Sequence, residues 1–198
     1  MGPAPLSQDT LHVVIDMQRL FAEETAWHTP AISGILPNVV ALSEARPAET
    51  LFARFVVPRN AEEAKGRWKD YYRRWSSVTL DELDLAMLDL VAPLAAIAGP
   101  GSIVDKGTYS IFGSPDFTER LQGAEIDTLI FSGVETDVCV YASVLDAVDA
   151  GYRVILAEDA LASGDMEAHA MVINILAARL SEQIEILSTE TILNLWRG

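Results

Sequence analysis

Three residue types capable of acyl chemistry recur at comparable points of the chain: Asp16 closes the apolar run LHVVID, Lys106 closes SIVDK, and the one thiol, Cys139, follows DTLIFSG by a few residues. A thiolate can attack a carbonyl carbon, a carboxylate beside it can take and return the proton, and an ammonium can hold that carboxylate ionised. Each residue also has a plain structural reading. Free cysteine is among the most buried residue types, aspartate is a common turn residue, and lysine is ordinarily solvated. What favours chemistry is position. Ligands of an open α/β sheet bind beyond the carboxyl ends of the strands, and all three residues fall at strand ends on that edge. Cys139 also falls in the first turn of an expected helix, where the helix N-terminus and a nearby lysine lower a thiol pKa.

The elements that position these residues follow from apolar runs and cap signals. Strands are expected over 11–16, 50–57, 102–106, 127–133, 152–157 and 184–187. Thr29 as N-cap and Pro30 at the first helical position open a helix to about 46, which Pro37 should kink or split. Thr79 and Glu82 have capping-box spacing, and Leu83, Met87, Leu90 and Leu94 follow at helical intervals. Further helices are expected from 114, over 136–150 with Gly151 as stop, over 165–181 and over 189–196. Strands alternating with helices make an α/β fold, a mostly parallel sheet of roughly six strands with helices on both faces. One domain over 1–198 is expected, with 1–9 a loose tail.

Composition narrows the partners. Fourteen Lys+Arg against twenty-nine Asp+Glu give a net charge of −15, so nucleic acid and anionic membranes are poor partners. The mean hydropathy of +0.21 is high, yet charges and prolines interrupt each apolar run, and the surplus suits a parallel sheet covered on both faces. The opening MGPAPLSQDT lacks the basic and apolar regions of a secretory signal, and a single cysteine gives no disulfide framework. The expected compartment is the cytoplasm.

VVIDMQ at 13–18, VDKGTYSIF at 104–112 and above all SGVETDVCVYASVLDAVDAGYRVILAEDA at 132–160 resemble the isochorismatase-like cysteine hydrolases, a superfamily that includes nicotinamidases and N-carbamoylsarcosine amidohydrolase. The resemblance runs in order from about 10 to 190. It implies the three-layer fold of that family and a catalytic triad of Asp16, Lys106 and Cys139, the residues already singled out by position. It further implies a cis peptide between Val134 and Glu135, and an oxyanion hole made by the backbone N–H groups of Glu135 and Cys139.

The chain departs from nicotinamidases where they carry a metal site after the second strand. Here that region reads ARFVVPRN, with Phe55 and Val57 near the ligand positions, and neither side chain coordinates a metal. The expectation is no metal and no cofactor, with nicotinamide an unlikely fit. Because Cys139 is present, hydrolysis of a small amide, carbamoyl or related C–N substrate through a thioester is favoured. The alternatives are vinyl-ether hydrolysis of an isochorismate-like compound, which would survive loss of the thiol, and a non-catalytic binding protein on the same scaffold.

Half of the fourteen cationic side chains lie between Arg54 and Arg74, interleaved with Trp68, Tyr71, Tyr72 and Trp75. Three readings compete: a single-strand nucleic-acid site, disfavoured by the net charge; a solvated helix with its aromatic face on the body; and a lid or subunit contact at the pocket mouth. The third suggests that Arg54 or a neighbour meets a substrate carboxylate, with Trp68 and Tyr72 on the pocket wall. Trp27, His28, Tyr109 and Phe112 flank the triad motifs as further wall candidates, each equally suited to core packing. This segment and family habit lead to an expected homo-oligomer, a dimer or tetramer. Light scattering at micromolar concentration should return at least twice the chain mass; a monomer contradicts it.

Overall fold

The computed structural model describes residues 2–197. Its sheet has six strands, β1 (Thr10–Ile15), β2 (Thr50–Phe55), β3 (Ile103–Lys106), β4 (Thr128–Gly133), β5 (Arg153–Leu161) and β6 (Ile184–Leu187), ordered β3-β2-β1-β4-β5-β6. All neighbouring pairs are parallel. The central strands are apolar along nearly their whole length because both sides are covered; all six residues of β4 are buried.

The helices are α1 (Arg19–Ala22), α2 (Ile32–Ala45), α3 (Trp68–Arg74), α4 (Ala92–Ile97), α5 (Pro115–Gly123), α6 (Tyr141–Asp149), α7 (Met166–Arg179) and α8 (Thr189–Leu195). The chain steps outward from β1 to β3, returns to the centre at β4, and steps outward the other way to β6. Right-handed crossovers therefore put α2 and α4 on one face and α6 and α7 on the other. The reversal lies between β1 and β4, where the loops after the two strands diverge and leave a crevice at their carboxyl ends.

Several expectations are corrected. No helix runs from Thr79: its hydroxyl donates to Ser76 O, Asp84 caps a short 3₁₀ turn through Ala86 N, Leu90 bridges to Gln18, and Pro93 sits in the first turn of α4. The amphipathic spacing at 83–94 is real, but a looping segment that leads into α4 carries it, with Leu90 and Leu94 buried and Leu83 and Met87 partly buried against the core. Thr29 does not cap α2, which begins at Ile32; its hydroxyl is spent on Glu135 Oε1 and Trp27 O. Pro37 is accommodated inside α2. The tail is tied down in part: Leu6 is buried and its N–H bonds Leu195 O, while Arg153 binds the carbonyls of Ala4 and Pro5. Met1 lies outside the described residues. Among these residues no helix is long and apolar enough to cross a membrane.

The sheet carries a buried polar pair. His12 on β1 bonds Ser132 Oγ on β4 at 2.8 Å through Nε2, and burial pushes its pKa down to about 3. Folding thus requires neutral imidazole, and stability is lost as pH falls below about 6.5.

At the end of β4, Gly133 has φ +105°, and a Cβ there would stand 2.1 Å from the Ile15 carbonyl oxygen, the acceptor of Val134 N–H. Gly133→Ala should cost about 3 kcal/mol or more in urea unfolding; a change within about 0.5 kcal/mol would contradict this packing.

Candidate active site

Asp16 follows β1 directly and adopts a left-handed backbone, φ +54°, a conformation that aspartate tolerates better than most residues. The turn it makes is held by Gln18, whose amide donates to the carbonyls of Phe55 and Leu88 while its Oε1 accepts from Phe55 N–H. Gln18 thereby clasps the end of β2 to the end of β1, a role hidden in the sequence because its partners are backbone groups far along the chain.

Lys106 ends β3, two strands from β1, and its side chain crosses over β2 to reach Asp16. The Nζ–Oδ2 distance is 2.8 Å and both side chains are fully buried. The ammonium also donates to Thr108 O and lies 4.6 Å from the centroid of the Phe55 ring. The solvated reading of Lys106 is thus excluded. Asp16 Oδ1, by contrast, is buried without a hydrogen-bond partner among the described residues.

Cys139 lies in a single π-type turn, Thr136–Val140, that precedes α6. The expected helix over 136–150 is therefore widened in its first turn, which runs without a break into α6, and the carbonyl of Glu135 accepts from Val138 and Val140, the residues on either side of Cys139. Ser143 braces this turn, donating to Cys139 O and accepting from Ile111 N–H. His169 Nδ1 meets Thr136 Oγ1, which donates to Ala162 O. The Val134–Glu135 peptide is cis.

Asp16 and Cys139 stand close enough to perturb one another. Burial raises the Asp16 carboxyl, and the Lys106 ammonium opposes that. Burial also pushes the Cys139 thiol well up, the Asp16 charge adds to the rise, and Lys106 again opposes it. The sequence expectation of a lowered thiol pKa is corrected here: the helix N-terminus and the lysine are outweighed by desolvation and by the carboxylate. Burial favours the protonated form of both groups, and the thiol is held well above its ordinary range.

A cleft of about 260 Å³ opens onto the thiol. The wall candidates Trp27, His28 and Tyr109 line it together with Glu135 and Cys139. So do Phe21, Phe55, Tyr71 and Trp75, which were not singled out as wall residues; Tyr71 and Trp75 follow Trp68 and Tyr72 at one-turn spacing on α3 and its end. Trp68 and Tyr72 stack behind the wall, with centroids 6.0 Å apart, and Trp68 packs on Tyr109 at 4.9 Å. Two candidates lie elsewhere. Arg54 points away from the cleft into a two-pronged ion pair with Asp105, and Phe112 packs edge-on against Phe117. The aromatic face of α3 is turned to the body while its cations pair outside: Arg67 with Asp70, Lys69 and Arg73 with Glu62.

This geometry meets its relatives at the level of sequence. The family model for the isochorismatase domain matches residues 10–188. The chain belongs to the isochorismatase family. An isochorismatase family protein of Bacillus subtilis is 32% identical over 81 residues, 41% of this chain and 44% of that protein, so the match spans less than half of that relative. A ureidoacrylate amidohydrolase of Azorhizobium caulinodans is 29% identical over 80% of this chain and 79% of its own. In fold, a cysteine hydrolase from Pseudomonas syringae pv. phaseolicola superposes with a TM-score of 0.82 at 23% identity, covering 98% of this chain and 97% of that one. A pyrazinamidase of Pyrococcus horikoshii, solved in complex with zinc, gives 0.70 at 22% identity, over 91% and 99% of the two chains. Phe55 and Val57 are buried apolar residues here, and among the described residues no group of three His, Cys, Asp or Glu side chains is placed to hold an ion.

The thiol's environment sets its reactivity. Cys139 should alkylate with iodoacetamide more slowly at pH 7 than a free cysteine. In Asp16→Asn the repelling charge is gone and Lys106 remains, so the thiol pKa, read from thiolate ultraviolet absorbance, should fall; an unchanged or higher value would contradict the electrostatic assignment.

Proposed function

We propose that the chain is a cysteine hydrolase of small amide, carbamoyl or related C–N substrates, with Asp16, Lys106 and Cys139 as its triad. The observation that carries this reading is the division of the Asp16 carboxylate: one oxygen is tied to Lys106, and the other is buried with the Cys139 thiol as its neighbour. A buried acceptor set against the thiol in this way suits a group that receives its proton during reaction.

With the thiol protonated at rest, attack and deprotonation must be concerted with substrate binding. Asp16 Oδ1 takes the Cys139 proton as Sγ bonds to the carbonyl carbon. The carbonyl oxygen gains the charge and faces the N–H groups of Glu135 and Cys139. Collapse breaks the C–N bond, Asp16 returns the proton to the leaving nitrogen, and a thioester remains on Cys139. Asp16 then deprotonates water, whose oxygen adds to the thioester; thiolate leaves and recovers its proton, releasing the acid. Lys106 keeps Asp16 oriented and favours its ionised form throughout. Each step of this reading draws on the triad and the two backbone N–H groups alone. The named amidohydrolase among the relatives supports the class.

Vinyl-ether hydrolysis of an isochorismate-like compound needs a proton donor but no thiol, and a binding protein needs neither. Ammonia release across a panel of small amides and carbamoyl compounds, with Cys139→Ala as control, separates the three. The proposal expects Cys139→Ala to lose at least about a thousandfold in kcat/KM; full activity in that variant would overturn it. Because burial raises Asp16 and its ionised form is the base, the acid limb of kcat/KM should lie above the usual carboxylate value of about 3.9. A limb at or below that value would contradict the burial of the base.

A further inference from the structure

The walls of the cleft say which amide it suits. Rings of Trp27, Tyr71, Trp75 and Tyr109 line it, and only Phe55 among the neighbouring rings has Lys106 over its face. Glu135 adds a carboxylate to the wall. Its Oε1 is fixed by Thr29 Oγ1 at 3.2 Å and Gly164 N–H at 3.0 Å, and Oε2 takes no hydrogen bond from a described residue.

No lysine or arginine lines the cleft. Lys106 is fully buried and its charge is matched by Asp16. The cations of α3 are committed outside, and Arg74 lies over the Trp75 ring at 5.0 Å from its centroid. The remaining field is that of a chain with net charge −15. A carboxylate entering this space would lose its hydration, find no cation and face Glu135. A cationic nitrogen would meet aromatic side chains and a carboxylate, the elements of an aromatic cage.

We propose that the cleft is built for an amide whose non-reacting end carries a cationic nitrogen, a quaternary ammonium or protonated amine, and that it discriminates against substrates ending in a carboxylate. This rests on the hydrolytic reading for the word substrate, but the preference itself is a property of binding and is measured without turnover. It also replaces the expectation that an arginine of the 54–75 segment recognises a substrate carboxylate.

The test uses the Cys139→Ala protein and isothermal titration with three shape-matched compounds: 4-(trimethylammonio)benzamide, its uncharged isostere 4-tert-butylbenzamide, and 4-carboxybenzamide. The cation should bind between about twofold and thirtyfold more tightly than the isostere, and the carboxylate at least about tenfold more weakly than the isostere. Glu135→Gln in the same background keeps an acceptor for Thr29 and Gly164 and should narrow the gap between cation and isostere while leaving the isostere unchanged. Equal binding of cation and isostere, carboxylate binding as tight as the isostere, or no binding of the cation at millimolar concentration each overturns the proposal. Retained hydrolysis by Cys139→Ala would overturn the hydrolytic reading alone and leave this order of affinities to stand or fall by itself.

Discussion

The ion pair between Asp16 and Lys106 is the constraint on which the rest of the site depends. Two opposite charges fully removed from water are held 2.8 Å apart, and leaving either one alone would cost on the order of 3–5 kcal/mol. The strand order must therefore bring the ends of β1 and β3 to one edge with β2 between them, and the Phe55 ring at the end of β2 gives the ammonium a surface to cross. Gln18 locks that edge by bonding both the N–H and the C=O of Phe55. The left-handed backbone of Asp16 is the local consequence: the carboxylate turns into the crevice while β1 ends beneath it.

The same pair explains why the thiol behaves as it does. Lys106 engages one carboxylate oxygen, so the negative charge of Asp16 stays close to Cys139 and adds to burial in disfavouring the thiolate. In the proposed mechanism the site stores its reactivity in a base waiting for a proton, in contrast to thiols that rest ionised beside a histidine. An aromatic wall that excludes water strengthens these interactions, and because its one lining carboxylate belongs to Glu135, the residue that opens the nucleophile turn, wall and turn are coupled through Thr29 and Gly164.

Most of the fold was legible because strand and helix signals agree with burial. The apolar runs ending at Asp16, Lys106 and Gly133 are β1, β3 and β4, and the rule that ligands sit at carboxyl ends picked the three residues without reference to any relative. What stayed hidden depends on partners distant in sequence. Thr79 carries a capping signal that loses to Ser76 O, and Thr29 carries one that loses to Glu135. Arg54 looked like a substrate contact because its charge is visible in sequence, whereas Asp105, which neutralises it, comes alongside only when β2 pairs with β3. The direction of the thiol pKa was misread for a similar reason: dipole and lysine can be counted along the chain, but desolvation is a property of the folded core.

The claim most exposed to test is that bond cleavage passes through an acyl group on Cys139. Rapid mixing of the wild-type protein with a hydrolysed amide, followed by acid quench and peptide mass analysis, reads it directly. The account predicts a transient mass increase equal to the acyl group, located on the peptide containing Cys139 and removed by hydroxylamine. Ammonia release with no adduct on that residue at any time point would contradict it.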